Sequence, residues 1–289
     1  MNQFLPSRYV EMVHRLALGI EPIDAQRARR LSYPLQVGYD AQVDLKRPAI
    51  ERHQSNLFAL RYQRGVGERV LAPGETERVD LRFFDLAEPF YKPEHDRRRI
   101  VPRRLSIPIL KLDEVESEEA ADRKEFRRRI RRPAFFPGAA YDCSVTTTGL
   151  RGRVLRDGQP MRWARVVATL RGATVVVGRA HGDDRGEFLL LINARVTSGS
   201  VWPDPLEIEV AIFGPETAPT PNPEDLPERD PLWDLPLETL AAPGADEDLV
   251  ATGEQLPNTD DLEYTDLVTR VITFSLGKCL YEEFEIPAP

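Results

Sequence analysis

Residues 149–192 read GLRGRVLRDGQPMRWARVVATLRGATVVVGRAHGDDRGEFLLLI, and this stretch decides the fold class. It predicts three or four strands joined by short turns. Asp157-Gly158 is a hairpin signal, because glycine takes the positive φ of a tight turn without steric cost. Pro160 follows where its missing N–H does least harm. Trp163, Arg165 and Val167 alternate with Ala164, Val166 and Ala168, the period of a strand. Gly172 breaks the run, and residues 174–177 are all β-branched, hence strand-prone. Asp183-Asp184-Arg185-Gly186 is a second turn, and residues 188–192 form a buried-strand run.

Downstream, residues 206–213 (LEIEVAIF) alternate as a strand. Residues 267–276 (LVTRVITFSL) return to strand, and 281–286 form a last edge strand or an ordered tail. Between them, residues 214–261 hold nine prolines and thirteen acids against one base, Arg229. Such a segment buries little area by itself. A closing strand after it means that the insertion interrupts a sandwich without ending it. The insertion also carries Leu232, Trp233, Leu235, Leu237 and Leu240. Large apolar groups spaced along an acidic loop dock either on their own chain or on a partner. Trp233, Leu235, Leu237 and Leu240 are therefore candidate partner-binding residues.

The motif set of the central stretch is Gly152-Arg153-Val154, Gly158-Gln159-Pro160, Ala164-Arg165-Val166 and Asp183-Asp184-Arg185-Gly186-Glu187-Phe188. This resembles the carboxypeptidase regulatory-like domain, a small transthyretin-like β-sandwich, over about forty residues of the 289. The threonine that often precedes the aspartate in that family is Gly182 here. The resemblance implies a non-catalytic module that positions other things. The zinc pattern of the carboxypeptidases themselves is absent, since none of His14, His53, His95 and His181 has a glutamate three residues on.

The first part of the chain also reads as strands: the second half of 9–20, then 30–37, 57–62, 78–84 and 100–110. Pro102 and Pro108 give the last of these the look of an edge strand. Residues 113–122 then carry six acids and residues 123–132 seven bases, the order that suits a helix macrodipole up to Pro133. The expectation is an all-β protein of two tandem β-sandwich domains. The first spans 8–110, a charged linker or helix spans 111–133, and the regulatory-like sandwich spans 134–289 with insertion 214–261. Within the basic run, Arg127, Arg128 and Arg131 are a candidate patch for an acidic partner, set against a charged segment that solvates itself.

A net charge of −8 disfavours general nucleic-acid binding. No stretch of about 18 apolar residues offers a membrane span, and the start has no secretory pattern, so a cytoplasmic protein is expected. Cys143 and Cys279 fit free thiols, with one bridge as the alternative, and Cys143 falls on an expected strand over 141–145. No P-loop, G-x-S-x-G elbow or dinucleotide fingerprint occurs. His181 with Asp183 and Asp184 could hold a cation, but an Asp–Gly turn needs none. No metal or cofactor is expected. Trp163 and Trp202 are a candidate sugar-stacking pair, weighed against packing in a core. The functional expectation is a non-catalytic subunit of a multiprotein assembly, with a phage-tail-like or contractile injection particle as the specific guess. A carbohydrate- or small-ligand-binding sandwich is the alternative, and an enzyme the least favoured reading.

Overall fold

The computed structural model describes residues 16–40, 50–61, 78–86, 92–109, 129–192, 205–220, 230–242, 248–259 and 262–287. The first part supplies β1 (Leu16–Ile20), β2 (Ile23–Asp24), β3 (Arg29–Arg30), β4 (Gln36–Tyr39), β5 (Glu51–Arg52), β6 (Phe58–Arg61), β7 (Arg78–Phe84), β8 (Arg103–Pro108), β9 (Ile130–Arg131) and β10 (Ala134–Phe135). The rest supplies β11 (Gly149–Arg156), β12 (Gln159–Pro160), β13 (Arg165–Leu170), β14 (Val176–His181), β15 (Glu187–Leu191), β16 (Leu206–Pro215) and β17 (Leu237–Thr239). A one-turn helix α1 (Leu249–Thr252) precedes β18 (Asn258–Thr259), β19 (Leu262–Phe274) and β20 (Cys279–Ile286). The described chain is predominantly β, in five sheets.

Two of those sheets face each other as a sandwich. One runs β12-β11-β15 with β20 paired to β11, and the other runs β14-β13-β16-β19-β18. Leu150, Val154, Phe188, Leu190 and Phe284 of the first meet Val166, Val177, Ile208, Val210, Ile212 and Phe274 of the second in one buried cluster. The turns between these strands have the predicted chemistry. Asp157 (φ 52°) and Gly158 (φ 69°) both lie in the left-handed region, as a type I′ hairpin turn requires. Asp183 Oδ1 accepts from the N–H groups of Arg185 (2.8 Å) and Glu187 (2.9 Å). Gly186 has φ 71°, and a Cβ there would lie 2.5 Å from the Val154 carbonyl oxygen. β16 and β19 pair antiparallel from Leu206↔Phe274 to Pro215↔Tyr264, so the long insertion loops out between neighbouring strands.

The first part forms three smaller sheets: β5-β6-β1-β9, β10-β2-β3 and β17-β8-β7-β4. Here several expectations give way. β8 is no edge strand, because β17 from the insertion pairs parallel with it on the side opposite β7. Its prolines are tolerated because Pro102 precedes the strand and Pro108 ends it. The expected strand 30–37 splits into β3 and β4. Between them the Asn56 side chain donates to the carbonyls of Leu31 (3.3 Å) and Tyr33 (2.9 Å) and accepts from Leu35 N (3.1 Å), replacing ladder bonds. Residues 141–145 form no strand. Of the expected charged linker or helix over 111–133, residues 111–128 lie outside the described residues, but Ile130 and Arg131 form β9 against β1, so no helix continues to Arg132.

Two further clusters join the parts. One holds Leu18, Ile20, Leu60, Phe83, Leu105 and Phe135 of the first part with Leu189 and Leu191 of β15 and Leu240 of the insertion. The outer face of β15 is thus covered by the first part. The other gathers Phe84, Leu86 and Val101 with Trp163 and with Leu232 and Leu235. Burying such a side chain contributes roughly 1.5–3 kcal/mol.

Candidate functional site

The side chains with the most chemistry meet where β8, β13, β14, β17 and α1 converge. Arg103 and Glu238 are both buried, at 0% and 2% side-chain exposure, and pair at 2.7 Å. The guanidinium also donates to the carbonyls of Ala134 (2.6 Å), Ala251 (3.3 Å) and Val250 (2.7 Å), and its Nε to Glu238 (3.0 Å). All five of its N–H groups are used, which only arginine's fork can do. Arg165 adds Nη2 to Glu238 (3.3 Å) and Nη1 to the Trp163 carbonyl (2.9 Å). His181, the register partner of Arg165, stacks on Phe136 at 3.8 Å. Burial, and then Arg165, Arg103 and Arg179, hold its pKa well below the usual imidazole range. The node ties chain segments together, but it leaves two buried atoms, Arg165 Nε and His181 Nδ1, without a hydrogen-bond partner among the described residues.

The sequence-derived candidates fall as follows. Trp163 is 2% exposed, so it has no free face for a sugar ring. It sits at φ 61°, a strained setting for a bulky residue. Its indole donates to Asp234 (2.8 Å), and its carbonyl accepts from Arg165 and from Tyr264 (3.0 Å). Burial pushes the Tyr264 hydroxyl up to about 12. Trp202, Arg127 and Arg128 lie outside the described residues. Leu235 and Leu240 are buried in the chain's own cores, so they are closed to a partner; Leu237 and Trp233 are half-buried. Arg131 Nη2 donates to the Ala241 carbonyl (3.1 Å), so it serves the insertion and not an open basic patch. Asp183 and Asp184 face a guanidinium: Arg98 pairs with Asp183 at 3.1 Å and with Asp184. Cys143 and Cys279 are free thiols.

Among the described residues, no group of three or more His, Cys, Asp or Glu side chains could hold a metal ion. A cleft of about 430 Å³ lies between the 23–28 turn, Phe136 and β14. Its Asp24 carboxylate is taken up by Tyr141 Oη (2.8 Å) and by the N–H groups of Gln26 and Arg27. A second, of about 460 Å³, has Leu16, Gly19, Ala59 and Ile130 among its lining. Arg30–Glu21 (2.9 Å) and Arg61–Glu51 (2.8 Å) pair on its rim. No helix among the described residues is long and apolar enough to cross a membrane.

The hairpin β19–β20 differs from all of this. Among the described residues β20 pairs with β11 alone, and beyond residue 263 β19 pairs only with β16, so two strands of the sandwich present edges there with no neighbouring strand. Val271 (46%), Leu276 (44%) and Tyr281 (63%) are exposed there. Glu263, Asp266, Glu282, Glu283 and Glu285 are exposed as well. None of these five forms an ion pair among the described residues, whereas Asp40, Asp85, Asp230, Asp234 and Glu238 each pair with arginine. Arg270 lies 5.2 Å over the Phe284 ring and donates to the Glu283 carbonyl (3.0 Å), bridging the two edges. The sequence offered 281–286 as a last edge strand or an ordered tail, and it forms an edge strand; nothing local marked its neighbour β19 as equally uncovered.

No protein-family model and no curated protein sequence matches the chain. A 9R-lipoxygenase from Cyanothece PCC8801 is similar over 50% of this chain and 17% of its own length, at 10% identity and a TM-score of 0.24. A likeness that loose carries no argument about fold or activity. What the geometry of the described residues gives by itself is a predominantly β chain with a sandwich whose buried arginines and carboxylates largely pair with one another.

Proposed function

We propose that the chain is a non-catalytic structural and interaction protein, one subunit of a larger multiprotein assembly. A phage-tail-like or contractile injection particle is the specific form we favour. The observation that carries the reading is the β19–β20 hairpin, where strand edges with no neighbour among the described residues, exposed apolar side chains and carboxylates with no arginine or lysine partner there coincide. Free edges invite strand pairing, and proteins usually shorten, twist or cover them. The buried arginines and carboxylates support the same reading, since they are engaged with one another and not aimed at an open cleft. The carbohydrate reading loses its one described platform with Trp163 inside.

The test is gradient sedimentation of a native lysate at low and high salt. The expected result is that the chain sediments in a particle of defined composition. A folded protein that sediments as a lone 289-residue monomer at both salts would overturn the reading.

A further inference from the structure

The free edge of β20 is specific enough to name a partner's chemistry. Backbone groups alternate in direction along a strand. The Glu283 carbonyl is turned away from β11, since it accepts from Arg270. Tyr281 and Glu285 therefore present their N–H and C=O groups to the same open edge. Glu282, Glu283 and Glu285 are exposed along that strand, Glu283 accepting from the Tyr281 hydroxyl (3.0 Å) and Glu285 from the Gly158 N–H (3.1 Å), while the Phe284 side chain between them is buried in the sandwich core. A second copy of the chain is a poor occupant, because pairing two such edges sets carboxylates opposite carboxylates. A strand from another protein with lysine or arginine opposite each glutamate satisfies both the backbone and the charge, its N–H replacing Arg270 on the Glu283 carbonyl.

We infer that β20 is a docking edge for an extended basic segment of a different protein, added as a further strand beside Tyr281–Glu285. Run antiparallel, the partner reads basic, apolar, basic, basic, with the apolar residue opposite Phe284. This rests on the assembly reading and names the partner of its surface. The alternative is an edge whose acids only guard it against association.

The probe is an acetylated, amidated eight-residue peptide of valine and threonine with three lysines in that pattern. A scrambled peptide of the same composition serves as control, and purified full-length protein is used throughout. The expected result is binding that slows hydrogen exchange at the amides of residues 281, 283 and 285. Affinity should fall at least tenfold in the triple variant Glu282→Gln, Glu283→Gln, Glu285→Gln. Tyr281→Pro should abolish it while leaving the circular dichroism unchanged, since that N–H faces away from β11. Three outcomes would each overturn the inference: no binding, binding without protection of those amides, or equal binding of the scrambled peptide. Because this experiment reads only the edge and sedimentation reads only the assembly, either idea can fail alone.

Discussion

At Gly152 a Cβ would lie 2.2 Å from Cζ of Phe188, so the opening glycine of the motif is the floor on which an aromatic ring rests. Gly152→Ala should cost about 1–3 kcal/mol by overpacking, whereas Gly38→Ala, with nothing within 4 Å of the new carbon, should be near neutral. Equal denaturation midpoints for the two variants would sink this account. Glu238 is the one carboxylate between Arg103 and Arg165. Removing its charge by Glu238→Gln leaves buried guanidinium groups uncompensated, and a loss of about 3–5 kcal/mol is expected in urea titration. His181 gives a pH signature. Folded, it stays neutral because burial and the three arginines oppose a proton. Unfolded, it takes one up below about pH 6.5. The unfolded state then binds more protons, so stability falls as pH drops through that region, by up to about 1.4 kcal/mol per unit. His181→Gln should flatten that part of the profile; parallel profiles for variant and parent would refute it.

At the scale of elements, the insertion behaves as a strap. Residues 230–242 are acidic, and arginines from several strands receive them. Arg82 holds Asp230 (2.6 Å), Arg162 holds Asp234 (2.7 Å), Arg103 holds Glu238, and Arg78 donates to the Leu240 carbonyl (2.8 Å). Burial raises the pKa of Asp234, and Arg162 works against that rise. Leu232, Leu235 and Leu240 go fully under, worth together roughly 5–9 kcal/mol. A whole domain has only about 5–15 kcal/mol to spare. Replacing 230–242 by a Gly/Ser linker of equal length should therefore unfold the protein. Retention of native circular dichroism by that variant would show the strap to be dispensable.

At the scale of the molecule, the buried clusters share side chains from both sides of the charged segment. Cores that interlock in this way melt together. Heating should give one transition, coincident by far-ultraviolet circular dichroism and tryptophan fluorescence. Two resolved transitions would instead show the two parts folding as independent units.

What the sequence determined by itself was local. The turns at Asp157-Gly158 and Asp183–Gly186, and the strands at 78–84 and 206–213, follow from positive φ, Asx hydrogen bonding and a period of two. Each is written within a few residues. That a strand follows the insertion was also legible, because a strand pattern resumes after the acidic run; its antiparallel pairing with β16 was not. Only the tertiary structure decided the rest. Proline made 102–108 look like an edge until β17 arrived from far down the chain to cover it. Trp163 stood between a sugar platform and a core residue until the strap closed over it. Arg103 and Glu238 are 135 residues apart, and neither carries a local sign of the other. Burial of a charge and exposure of an edge both depend on what else packs there. That is a property of long-range contacts, which no window of sequence contains.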